Sequence, residues 1–105
     1  MVTISTDPTI IVFGTDDLEE PVSDVNVDVE VRTKDGRGSA TFFTLANLET
    51  LMRRHAVTGE CAGGLYEWAA DMIVVRELSY DVIRTTVAEL RREGQLESAF
   101  ASLDD

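Results

Sequence analysis

The sequence predicts an α+β two-layer sandwich, a mainly antiparallel sheet of four to five strands with two helices, or three, packed on one face. Three observations carry this expectation. Val25, Val27, Val29 and Val31 alternate with Asn26, Asp28, Glu30 and Arg32, the period of a strand with one face in a core and the other toward water. An Asp35-Gly36 dipeptide separates that run from a second β-rich stretch, Ala40-Thr41-Phe42-Phe43, as in a tight hairpin. From Leu45, and again from Tyr80, apolar residues recur at helical spacing.

The first strand is expected at Thr9 to Gly14, where Thr-Ile-Ile-Val-Phe-Gly is rich in β-branched residues, and the acidic stretch Thr15 to Asp24, with Pro21, follows as a loop. The valine run is the second strand. With Asp35 and Gly36 as the loop of the hairpin, Lys34 would face Arg37, Val31 would face Ala40 and Val29 would face Phe42. That register puts Phe42 on the valine face and Phe43 off it.

Leu45, Leu48, Met52 and His55 form the apolar stripe of a first helix, with Thr44 as its N-cap, Arg53 and Arg54 near its negative end and Gly59 as its stop. Leu65-Tyr66-Glu67-Trp68 and Met72-Ile73-Val74-Val75 read as two strands or one bulged strand. Ser79 caps a second helix with a stripe at Tyr80, Ile83, Val87 and Leu90 and a stop at Gly94. Leu96, Ala99, Phe100 and Leu103 are spaced for a third helix, frayed by Asp104 and Asp105 at its negative end.

These elements form one domain over residues 1 to 105, with no repeat and no linker. Its 44% apolar content supports a core without disulfides or a structural metal. The single cysteine, Cys61, rules out an intramolecular disulfide, and neither a signal peptide nor an apolar run of spanning length is visible, so a cytoplasmic protein away from the membrane is expected.

The net charge of −11 is regional, since residues 1 to 30 carry eight acids and no Lys or Arg. Such a field disfavours nucleic acid and attracts basic partners, although acidic surface also serves solubility alone. Asp16, Asp17, Glu19 and Glu20 cluster without the alternating ligands and central glycine of a calcium loop, so they are expected to be solvated and available to a basic protein.

The sole histidine and sole cysteine, His55 and Cys61, are separated by a helix end and a glycine-bearing turn. A nucleophilic thiol needs a base and oxyanion donors, which His55 and the amides of Ala62 to Gly64 could supply, but no Cys-protease or redox motif surrounds them. A closed apolar stripe at His55 and a small apolar Cys61 is the expected reading. No catalytic residue, metal site or cofactor is expected. The glycine loop runs from helix to strand, opposite to phosphate-binding order, and Glu60 and Glu67 have the wrong sign for a nucleotide.

Tyr66 and Trp68 share a face opposite Glu67 if their segment is extended. With Phe43 off the valine face, the sheet would carry apolar side chains on both faces, the second covered either by a partner or by the third helix through Phe100 and Leu103. Three functions compete. The first is a non-catalytic interaction protein, such as an acidic immunity or regulatory protein that neutralises a basic partner, with Asp16, Asp17, Glu19, Glu20, Phe43, Tyr66 and Trp68 as its contact residues. The second is a small homo-oligomeric interaction or ligand-sensing domain, a homodimer for example, using the aromatic face. The third is a Cys-His enzyme.

Overall fold

Antiparallel pairing joins the first four strands in the computed structural model, which describes residues 1–15 and 17–104. The strands are β1 (Val2–Thr6), β2 (Thr9–Phe13), β3 (Asn26–Thr33) and β4 (Gly36–Thr44), in the order of the chain. Beyond β4 the sheet changes character. The strand β5 (Met72–Val75) runs parallel to the end of β4, and the two-residue β6 (Ala101–Ser102) pairs antiparallel with its start. The helices are α1 (Leu45–Thr58), the single turn α2 (Glu60–Gly64), α3 (Tyr80–Arg92) and the short α4 (Leu96–Ala99). The expected α+β fold is therefore observed, with a six-stranded sheet.

The valine alternation is carried through. Val27, Val29 and Val31 are buried with Ile10, Val12 and Phe42 in one core, and Tyr80, Ile83 and Val87 of α3 close over it. Ser79 caps α3 by accepting from the Val82 amide, and Gly94 ends it at φ +72. Burial of this apolar set, at roughly 1.5–3 kcal/mol per large side chain, is the main stabilising contribution to the fold.

Three expectations are corrected. The β3–β4 register lies two residues from the expected one, pairing Arg32 with Arg37, Val29 with Ala40 and Val27 with Phe42. The Thr33 hydroxyl accepts from the Asp35 amide, which fixes Lys34-Asp35 as the turn and puts Gly36, at φ +138, at the start of β4. A shift of two preserves the faces, so Phe42 still joins the valines and Phe43 does not. The segment Leu65 to Trp68 is not a strand, and only Met72–Val75 pairs with the sheet. The third helix stops at Ala99, and Phe100 turns into the main core, its ring 6.3 Å from that of Phe42, so it does not cover the second face.

The first helix departs most from a core helix. None of its apolar residues joins the main core, and its one buried residue is Asn47. It is anchored at its first turn by polar groups. The buried Thr44 hydroxyl accepts from the amides of Asn47 and Val25. Asn47 accepts from the Asn26 side chain at 2.8 Å and donates to Asp24 at 2.9 Å, and Thr50 donates to the same carboxylate at 2.7 Å. Asn26 pairs with Phe43 and shares its side of the sheet, so α1 begins against the second face.

The hydrogen bonds from Asn47 and then Thr50 hold Asp24 below the usual carboxylate pKa of 3.8. Because folding lowers this pKa, its stabilising contribution is fully present above the unfolded value and is lost as pH falls through the folded one. Asn47→Ala should cost roughly 1–2 kcal/mol near neutral pH and should reduce the further loss of stability on acidification, as read by urea unfolding above and below the Asp range.

Among the described residues, no helix is long and apolar enough to cross a membrane.

Candidate functional site

Past its first turn, α1 leads away from the main core, and the molecule is correspondingly long, 44 Å by 33 Å by 24 Å. Its radius of gyration of 14.3 Å exceeds the value of about 13 Å expected of a compact chain of this length. The free end of this limb holds most of the residues of chemical interest.

Gly59 ends α1 in the left-handed conformation, its amide donating to the His55 carbonyl at 2.8 Å. After Glu60 the chain turns left-handed again through Cys61 (φ 49, ψ 48), Ala62 (φ 54, ψ 43) and Gly63 (φ 72, ψ 31), closed by bonds from the Gly63 amide to Gly59 and from Leu65 to Cys61. For the two residues with a Cβ this costs roughly 1–2 kcal/mol each. The left-handed turn folds the chain back on α1 and brings Cys61 and Glu67 beside His55.

Three donor atoms, one each from His55, Cys61 and Glu67, lie within 4.8 Å of one another. The Nε2 atom of His55 is 3.2 Å from Oε2 of the exposed Glu60, and Nδ1 lies in close contact with Oε1 of Glu67. This last contact is a His–carboxylate ion pair between two buried atoms, neither of which has a hydrogen-bond partner. Burial, followed by the charges of Glu67 and Glu60, pushes the Cys61 thiol above its ordinary pKa of 9.0. Each imidazole nitrogen thus has a carboxylate as a near neighbour, and the thiol is held away from its nucleophilic form.

The expected contact residues fall into separate places. Tyr66 and Trp68 are 49% and 70% exposed and flank Glu67, whose side chain is 9% exposed, but the segment is coil and the expected shared sheet face is absent. Leu65 and Val57, nearby in sequence at 79% and 88% exposure, add apolar surface. Phe43 is only 8% exposed and presents little to a partner. Asp17, Glu19 and Glu20 are exposed and make no ion pair among the described residues, while Asp16 lies outside them.

Their loop is nonetheless held in place. Leu18 is buried and accepts from the Tyr80 amide, and Val22 exchanges two backbone bonds with Leu78. The acidic residues are therefore displayed beside the start of α3. No hydrogen bond or ion pair among the described residues links them to the aromatics.

A half-open groove of about 410 Å³ lies between the β3–β4 hairpin and α4, lined by Val31, Arg37, Leu96, Phe100 and Asp104 among others. Its cation, Arg37, is already engaged by Asp104, which accepts from both its backbone and side chain.

No protein family matches this chain, and no curated protein or solved structure matches it. Its class rests on the fold and the limb alone, an acidic α+β domain carrying a helical projection with exposed aromatic residues.

Proposed function

We propose that the protein is a non-catalytic interaction module that docks onto a basic protein partner, as an acidic immunity or regulatory protein would. The observation that carries this reading is the exposure of Val57, Leu65, Tyr66 and Trp68, which flank the Glu60–Gly64 turn in sequence. Large apolar and aromatic side chains form the centres of protein interfaces, and Trp and Tyr dominate their binding energy. A net charge of −11 favours a partner of opposite sign and opposes close approach of a second copy at low salt. The loop bearing Asp17, Glu19 and Glu20 extends that field to another part of the surface.

The test is capture on immobilised protein at low and high salt, in parallel with Trp68→Ala, followed by measurement of affinity for the retained protein. A basic partner whose affinity falls with salt, and falls by about 2 kcal/mol or more with Trp68→Ala, supports the proposal. Retention that is indifferent to both, or a stable dimer by light scattering that Trp68→Ala dissolves, overturns it. The second result would favour homodimerisation through the same residues. Trp68→Ala should leave unfolding within about 0.5 kcal/mol of wild type, because the side chain is mostly exposed.

A further inference from the structure

We propose that His55, Cys61 and Glu67 form a binding site for a thiophilic divalent metal ion, with Zn²⁺ as the expected occupant. This stands independently of the docking reading. The three donor atoms converge within 4.8 Å although they come from a helix, a left-handed turn and a coil. A tetrahedral zinc with bonds of roughly 2.0–2.3 Å keeps its ligand atoms about 3.3–3.8 Å apart, so the close Nδ1–Oε1 contact must open and any wider pair draw in to admit the ion.

The second observation is the burial of the cluster's polar atoms. The Glu67 side chain is only 9% exposed and the His55 side chain 13%. Their facing atoms, Oε1 and Nδ1, are buried and have no hydrogen-bond partner. The two atoms face each other as an ion pair with no further hydrogen-bond partner, and a bound cation would take the place of that pairing by accepting an electron pair from each. Cys61 adds a soft donor, which selects zinc-like ions over calcium or magnesium. Glu60, 3.2 Å from the other imidazole nitrogen, is placed to hold the ring as an outer-shell partner.

The ligands also share a regular spacing, His55, Cys61 and Glu67 lying six residues apart. Metal binding would close α1, the left-handed turn and the coil into one unit outside the main core. The ion would thus stabilise the end of the limb that carries Tyr66 and Trp68.

The experiment uses the full chain, stripped with a chelator and titrated with Zn²⁺ by calorimetry and with Co²⁺ by absorption spectroscopy. One ion per chain is expected, with a thiolate-to-cobalt charge-transfer band that disappears in Cys61→Ser. Glu67→Gln should weaken Zn²⁺ binding by at least about tenfold. Substituting Asp17, Glu19 and Glu20 together by their amides should leave it unchanged, which separates this site from the acidic loop.

Because Cys61 is the sole cysteine, its alkylation rate in the wild-type protein gives a readout that needs no variant, and Zn²⁺ should slow it. Absence of both the charge-transfer band and protection from alkylation overturns the proposal. So does Zn²⁺ affinity that Cys61→Ser and Glu67→Gln leave intact, or equal affinity for Mg²⁺. None of these outcomes depends on whether a protein partner is found.

Discussion

Replacing Phe42 by alanine should lower the unfolding free energy by roughly 3–5 kcal/mol, the largest loss expected of a single side-chain truncation in this chain. Phe42 is fully buried, faces Val27 across the β3–β4 pair and packs its ring at 56° to that of Phe100. It therefore joins the hairpin, the α3 layer and the C-terminal segment in one contact set. A domain of this size has roughly 5–15 kcal/mol in total, so Phe42→Ala would unfold a large share of a marginal protein. Urea denaturation should show a lower midpoint with an unchanged slope. A loss below about 1 kcal/mol would mean that this ring does not occupy the core. Leu103→Ala is a useful comparison, because Leu103 shares the predicted stripe of Phe100 yet lies exposed.

The faces of the sheet were legible in the sequence because period-two alternation depends on burial and survives an error of two residues in register. The same pattern could not locate the hairpin turn, since the Thr33 hydroxyl stabilises Lys34-Asp35 in preference to the glycine dipeptide. Helix ends were legible at Thr44, Gly59, Ser79 and Gly94, where capping and positive φ have strong local chemistry.

The position of α1 was not legible. An apolar stripe marks a helix without saying which surface receives it, and here Leu45 remains exposed while Asn47 makes the buried contact. Strand β1 was overlooked because Thr3, Ser5 and Thr6 dilute a short apolar run, and β6 is defined only by its partner. At the candidate site, His55 and Cys61 stood out as single residues of their type. Glu67 did not, because its approach to them depends on left-handed backbone at Cys61 and Ala62, which no local propensity favours.

That turn is most sensitive at Gly64. Its φ is +81, and a Cβ added there would lie 2.0 Å from the Met52 carbonyl oxygen and 3.1 Å from the Ala56 amide nitrogen. Both neighbours are helix backbone, so they cannot turn aside as a flexible side chain would. Gly63 is the natural control, since it has φ +72 but nothing within 4 Å of its added Cβ. Gly63→Ala should cost only the left-handed penalty of roughly 1–2 kcal/mol. Gly64→Ala must also lift the turn off α1, and a local cost of about 3 kcal/mol or more is expected. Because α1 contributes nothing to the main core, the damage should remain local. Hydrogen exchange should show the amides of Gly63 and Leu65, which close the turn, losing protection in Gly64→Ala while those of β3 and β4 keep theirs. Equal protection in the two variants would show that the turn does not pack on α1, and would remove the geometry that brings Cys61 and Glu67 to His55.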